Sequence, residues 1–163
     1  MIRPLLVSLV LLTAAAASAK PPSWDKQIDG AGRFKILAAF DGDAVLYKET
    51  GLVWERAPVD ATADWANAVS DCTFVGTGGR AGWRLPRIEE LLSILDTTAT
   101  PPAGHPFDLP SGPYWSATTP ATDTGPNTGA AWSVLLGSGP ATGVKTLPMR
   151  RWCVRGGAGI DDQ

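Results

Sequence analysis

The sequence contains little histidine and cysteine, and no long apolar run follows its first residues. One histidine, His105, and two cysteines, Cys72 and Cys153, occur among 163 residues. A zinc site of the usual kind needs several such ligands, so the sequence predicts no metal site and no cofactor. Nothing beyond the N-terminus approaches the length of a membrane span, and we expect no transmembrane segment in the mature chain.

Catalytic motifs are missing as well. His105 lies in a proline-containing stretch, where a lone histidine is more often a surface or packing residue than a general base. No serine lies in a nucleophile elbow. Asp41 and Asp43 flank Gly42, but the full spacing of a calcium loop is absent, and a plain turn is the preferred interpretation. The sequence therefore predicts a protein that is not an enzyme.

The first residues have the features of a secretory signal. Arg3 precedes the apolar run 5–12, and the small residues 17–19 form a cleavage site before Lys20. We therefore assign 1–19 to a signal peptide, with an uncleaved N-terminal anchor as the alternative. No cysteine follows the cleavage site, which argues against a lipid anchor there. The predicted location is periplasmic, cell-surface or secreted, reached through the general secretory route.

Composition limits the partners of the mature chain. Loss of Arg3 with the signal changes the basic count from 14 to 13 against 16 acidic residues, so the net charge becomes about −3. This balance gives no reason to expect nucleic acid. The 18 glycines, 14 prolines and seven tryptophans indicate long loops held by aromatic side chains. In an oxidising compartment the cysteine pair favours a disulfide, and two buried free thiols are the alternative.

Hydrophobic periodicity predicts two helices and several strands after a flexible lead-in, 20–32, with residues 33–163 forming one domain. One helix runs from Asp60 to Cys72, with Asp60 or Thr62 as its cap, and its apolar face consists of Trp65, Ala68, Val69 and Cys72. The other begins at Pro86 and buries an apolar stripe of Ile88, Leu91, Leu92 and Leu95. Strands are predicted at 33–40, 44–48, 51–56, 113–118, 131–136 and in a final segment that carries Cys153 and stops at 156. Glycine-rich turns are predicted at 76–82 and 137–143, and long loops at 97–113 and 119–130.

A set of short motifs occurs in a specific order along the chain. They are TGLVWER at 50–56, WA-x-A at 65–68 with Cys72, GWRLPR-x-EEL at 82–91, YWSAT at 114–118, AW at 131–132 and CVR at 153–155. Together they resemble the C-terminal domain family of the Legionella collagen-like adhesin over roughly residues 50–156. No single motif is decisive, but the ordered set is specific.

The resemblance implies a C-type lectin-like fold of the α+β class, with two helices flanking a small antiparallel sheet and long ordered loops. It also implies a disulfide between Cys72 and Cys153 that ties the first helix to the last strand. Two positions depart from the family pattern: Ala117 replaces a second serine, and Trp152 stands where arginine is common. The sugar-coordinating signatures of calcium-dependent lectins are absent, so calcium-dependent sugar binding is not implied.

Arginines are the candidate ligand-binding residues. Arg84 and Arg87 bracket a Leu-Pro pair, and Arg151 and Arg155 share one side of the predicted last strand. They fit either of two interpretations: ion pairs with Glu55, Glu89 or Glu90 that hold loops in place, or a patch that binds sulfated or carboxylated glycans. The founding adhesin of the similar family binds sulfated glycosaminoglycans. The full candidate ligand-binding set is Arg84, Arg87, Trp115, Arg151 and Arg155, with Trp115 included because an exposed tryptophan can stack on a sugar face.

These features predict an exported, non-catalytic recognition module. Its partner is a glycan or a protein at the cell envelope or surface, contacted through the loops 97–113 and 119–130. The alternative is a structural or assembly component of an envelope complex that has no glycan ligand.

Overall fold

The structure is a computed structural model that describes residues 28–121 and 129–156. Within these residues the chain forms two α-helices and two five-stranded sheets, so the predicted α+β class is confirmed. Neither helix of the described ranges is long and apolar enough to cross a membrane. The predicted signal peptide 1–19, residues 20–27 of the predicted lead-in and residues 122–128 of the predicted loop 119–130 lie outside the described residues.

The regular elements are short. The helices are α1 (Trp65–Phe74) and α2 (Ile88–Ile94). The strands are β1 (Phe34–Ile36), β2 (Ala44–Tyr47), β3 (Val53–Glu55), β4 (Thr62–Ala63), β5 (Trp83–Arg84), β6 (Pro113–Trp115), β7 (Ala130–Leu135), β8 (Gly139–Val144), β9 (Met149–Arg150) and β10 (Val154–Arg155). The predicted loop at 97–113 is confirmed up to Pro113, where β6 begins, and it packs Phe107 into the core.

The strands form two sheets instead of the one small antiparallel sheet that was predicted. The first sheet has the order β1-β2-β3-β10-β5, and its neighbours are antiparallel. The second has the order β4-β9-β6-β7-β8, in which β6 and β9 pair in parallel. The prediction of a single last strand is wrong because that segment is divided: β9 joins the second sheet and β10 the first, with Cys153 between them.

The N-terminus of α1 lies further along the chain than predicted. Thr62 and Ala63 pair with β9 as a short strand and are therefore unavailable to the helix. The cap is Asp64, whose Oδ1 accepts a hydrogen bond from the backbone N–H of Asn67 at 2.8 Å. Ala68 and Cys72 are buried on the inner face of α1, as the apolar periodicity predicts.

The apolar face of α2 is also rotated from its predicted position. Ile88, Leu91 and Ile94 are buried, whereas Leu92 is 38% exposed. Pro86 precedes the helix instead of occupying its first turn, and Glu90 Oε2 accepts the backbone N–H of Arg87 at 2.7 Å. The helix ends at Ile94, one residue before the end of the predicted apolar stripe.

The stretch predicted as a turn at 137–143 contains most of β8. This strand pairs with β7 along its whole length and lies at the edge of the second sheet. Its glycine, proline and threonine residues have no apolar alternation, because several of them face solvent at the edge. Sequence periodicity therefore could not reveal it.

The first sheet is packed on both faces. Directly paired residues of antiparallel strands share a face, so the register separates two sets of side chains. One face, here called the α1 face, carries Ala44, Val53, Glu55, Trp83 and Arg155. The other, the α2 face, carries Val45, Trp54, Arg84 and Val154. Each face contributes to its own buried cluster, one with Ala68 and Cys72 of α1 and the other with three residues of α2.

Candidate functional site

A disulfide fixes the segment that ends the described chain. Cys72 of α1 and Cys153 are bonded, and both are fully buried. The predicted pairing is therefore confirmed, although Cys153 lies just before β10 and not within a strand. Because β10 follows immediately, the cross-link also fixes the position of Arg155 relative to α1.

Arg84 forms an ion pair with Glu90, which was one of the two interpretations predicted for the arginines. Its Nη1 and Nη2 donate to the two carboxylate oxygens of Glu90 at 2.8 and 2.6 Å, and Nη2 also donates to the Gly156 carbonyl at 3.0 Å. Burial acts to raise the pKa of Glu90, but the hydrogen bonds from Arg84 and the Arg87 backbone outweigh it and lower the pKa below its ordinary value. This guanidinium is already occupied by a forked ion pair.

Arg151 and Arg87 differ in their surroundings. Arg151 Nη1 lies 3.3 Å from Asp71 Oδ2 on α1, so it too is held by a carboxylate. The Arg87 side chain is exposed at the start of α2. Arg84 faces α2 and Arg155 faces the α1 side of the first sheet. The predicted arginines therefore do not form one patch.

Trp115 is a core residue, and its prediction as a ligand contact is wrong. The side chain is 0% exposed, and its Nε1 donates to the Ala63 carbonyl at 3.1 Å. It packs in the cluster that includes Ala131 and Met149. A sugar cannot reach this ring without opening the core.

Arg155 lies in a cleft that the sequence analysis did not identify. The cleft has a volume of about 450 Å³ and is lined by Phe40, Gly51, Val53, Arg80, Arg155 and Gly156. The guanidinium carbons of Arg80 and Arg155 lie 5.7 and 6.0 Å from the centre of the Phe40 ring. Among the described residues, no carboxylate oxygen lies within 4.0 Å of either guanidinium group. We call this the arginine cleft.

The glycine-rich turn that was predicted at 76–82 builds one wall of the arginine cleft. Gly78 has a φ of +61°, and a Cβ there would lie 2.6 Å from the Cβ of Phe40, so only glycine allows this approach. Gly82 has a φ of +86° and packs near Arg155 Nε. The turn thus brings Arg80 beside a ring that is 40 positions away in sequence.

Two residues of the cleft, Phe40 and Arg80, were missed. Phe40 ends a 3-10 turn, Ala38–Phe40, within a segment predicted to be strand. Arg80 is the single charged residue of the turn at 76–82, and that isolation is the signal that could have singled it out. Arg155 was predicted, but its predicted companion Arg84 extends from the opposite face of the sheet.

The remaining candidates have structural contacts. His105 Nδ1 accepts the backbone N–H of Phe107 at 3.2 Å, and its ring lies near the Phe107 ring. Trp65 is half-buried and lies beneath Lys145, whose Nζ is 4.1 Å from the ring centre. Within residues 28–121 and 129–156, no cluster of three or more His, Cys, Asp or Glu side chains is arranged to hold a metal ion.

Comparison with known proteins gives one family. The family model described as the Lcl C-terminal domain matches residues 43–155, which include the disulfide, both helices and most of the arginine cleft. No curated protein matches the chain.

Proposed function

Because this chain belongs to the Lcl C-terminal domain family, we propose that it is an exported, non-catalytic recognition module that binds an anionic glycan in the arginine cleft. The family indicates a surface adhesin-related module. We propose in addition that its α+β architecture is C-type lectin-like, since a disulfide joins the first helix to the segment before the last strand. The ligand class is sulfated or carboxylated.

The proposal is supported by two guanidinium groups that lie over one aromatic ring and form no ion pair within the part of the chain that the structure describes. Arg80 and Arg155 are like charges that line the same cleft, and among the described residues neither has a carboxylate within 4.0 Å. A sulfate or carboxylate bound in the cleft would offset these positive charges and accept charge-assisted hydrogen bonds. The chain is acidic overall, so this local positive charge is not a consequence of composition.

The size of the cleft is sufficient for a sugar ring. Its volume of about 450 Å³ falls in the range of small-molecule sites. Phe40 offers a partly exposed ring, against which the C–H face of a pyranose can pack while its anionic substituent contacts an arginine. Val53 and Gly51 extend the apolar side of the cleft.

Export is supported by the covalent structure. Disulfides persist in oxidising compartments, and the bond between Cys72 and Cys153 is fully buried. The signal-like N-terminus at 1–19 agrees with this location. Together these features support a role in the periplasm, at the cell surface or outside the cell.

A second candidate is the assembly role, in which the domain is a stable component of an envelope complex. Phe74, the last residue of α1, is 83% exposed, and a large apolar side chain in such a position suits a protein partner. A Phe74→Ser variant that no longer co-purifies with a fixed envelope partner, in a protein that binds no glycan, would favour this function.

Titration with a glycan of defined charge tests the first proposal. We expect mature protein to bind a heparin hexasaccharide, and Arg80→Ala to weaken that binding about tenfold or more. Arg87→Ala is the matched control, because it removes an exposed arginine outside the cleft and should leave binding unchanged. Equal losses in the two variants would place the anionic ligand elsewhere.

A further inference from the structure

Glu55 is a buried acidic residue whose carboxylate is held by hydrogen bonds. It ends β3 on the α1 face of the first sheet and is only 6% exposed. Its carboxylate has no Lys, Arg or His nitrogen within 4.0 Å among the described residues. A buried carboxylate without a cation must be held by hydrogen bonds, since its burial is otherwise costly.

The two oxygens of that carboxylate bind two different segments. Oε1 accepts the hydroxyl of Thr77 at 2.8 Å, and Oε2 accepts the backbone N–H of Cys153 at 3.0 Å. Thr77 is the second residue of the glycine-rich turn 76–82 and lies three residues before Arg80. Cys153 precedes Arg155 by two residues. The carboxylate therefore joins the two segments that supply the guanidinium groups of the arginine cleft.

The two attachments are not equally supported. The segment with Cys153 is also held by the disulfide, by a hydrogen bond from the Glu55 backbone N–H to the Cys153 carbonyl, and by Trp152 Nε1, which donates to the Glu55 carbonyl. The turn has its far end fixed where Trp83 Nε1 donates to the Arg80 carbonyl. Its near end follows α1, which the disulfide anchors at Cys72, and the hydrogen bond from Thr77 to Glu55 is the contact made within the turn itself.

We propose that Glu55 is a positioning residue for ligand recognition: through Thr77 it sets the separation of Arg80 from Arg155, and so selects ligands whose anionic groups match that spacing. This inference rests on the proposed function of the arginine cleft. A carboxylate suits the role because both of its oxygens accept, whereas an amide presents only one acceptor to the two donors.

A substitution at Thr77 isolates this contact without touching the disulfide or either arginine. Thr77→Val removes the hydroxyl and keeps the shape, and Thr77→Ser is the matched control because it retains the hydroxyl. The probes are a heparin disaccharide that carries two sulfate groups and the same disaccharide with one. Binding is followed by NMR titration of mature protein.

We expect Thr77→Val to weaken binding of the two-sulfate probe about three- to tenfold and to leave binding of the one-sulfate probe nearly unchanged. Thr77→Ser should retain wild-type selectivity. A variant that was merely less stable would lose affinity for both probes in the same proportion. Equal losses for both probes, or no loss for either, would overturn the positioning role.

Hydrogen exchange separates this inference from the proposed function. In the absence of any glycan, Thr77→Val should speed exchange of the backbone amides at 76–82 and leave those of α2 unchanged. Unchanged exchange in the turn would overturn the role of Glu55 whether or not a glycan binds. Faster exchange in the turn, with no glycan bound by wild-type protein, would contradict the proposed function and retain the structural link.

Discussion

Arg84 and Arg155 lie on neighbouring strands of the first sheet and have opposite roles. Arg84 on β5 is paired with Val154, and Arg155 on β10 is paired with Trp83, so the two side chains extend from opposite faces. On the α2 face Arg84 meets Glu90 and forms a forked ion pair. On the α1 face Arg155 meets the ring of Phe40 and no carboxylate of the described residues within 4.0 Å.

Strand register decides which face of the sheet an arginine side chain occupies, and therefore which groups its guanidinium contacts. A guanidinium group that forks to a carboxylate stabilises the fold and has few donors left for a ligand. A guanidinium group over an aromatic ring keeps its in-plane donors available, because the ring contacts only its face. On the α2 face the arginine is thus engaged in an ion pair, whereas on the α1 face our proposed function assigns Arg80 and Arg155 to recognition.

Removal of the disulfide should have the largest effect on stability. In a Cys72→Ala/Cys153→Ala variant we expect the free energy of unfolding to fall by about 4 kcal/mol, because the denatured chain regains the freedom of a long closed loop. The α1 face should lose stability first. Hydrogen exchange should therefore become faster for the amides of α1 than for those of α2. Wild-type stability in urea, or faster exchange in α2 than in α1, would contradict this expectation.

Loss of the ion pair on the α2 face should have a moderate effect. Arg84→Ala should lower the free energy of unfolding by about 2 kcal/mol, since it leaves Glu90 and the Gly156 carbonyl without their partner in a partly buried site. Glycan binding should be retained. Arg84→Lys keeps the positive charge but cannot donate two parallel hydrogen bonds to Glu90. Its free energy of unfolding in urea should therefore lie between those of wild type and Arg84→Ala. An Arg84→Ala protein of normal stability that binds no glycan would reverse the assignment of the two faces.

Acidification should weaken the same ion pair by a smaller amount. The pKa of Glu90 is lowered from 4.5, so ionised Glu90 adds stability above that pH, and this stability is lost as the pH falls through the folded-state pKa. In urea unfolding from neutral pH to about pH 3, the difference between wild type and Glu90→Gln should therefore shrink. A constant difference over the whole range would show that the charge of Glu90 contributes nothing.

Local sequence signals recover the elements that bury a periodic apolar face. The inner face of α1 with Ala68 and Cys72 was predicted, because a helix that packs on a core must repeat its apolar residues. The edge strand β8 was not, because Gly139–Val144 meets solvent on one side and has no such repeat. The split of the last segment between two sheets also has no local signal, since it depends on which strands lie beside it.

The candidate site could be predicted only in part for a related reason. Arg155 was recognisable as a charged residue beside the disulfide. Its partners were not, because the sequence does not reveal the register that separates it from Arg84. Phe40 and Arg80 meet only when the turn at 76–82 folds over the end of a distant 3-10 turn. Non-local contacts of this kind are set by tertiary packing.

The most direct test measures stability and glycan binding together in Arg155→Ala and Arg84→Ala. We expect Arg155→Ala to change the free energy of unfolding by less than about 0.5 kcal/mol and to weaken binding of a heparin hexasaccharide about tenfold or more. We expect Arg84→Ala to lower the free energy of unfolding by about 2 kcal/mol and to retain hexasaccharide binding. An Arg155→Ala protein that binds the hexasaccharide normally and is destabilised as much as Arg84→Ala would contradict these expectations.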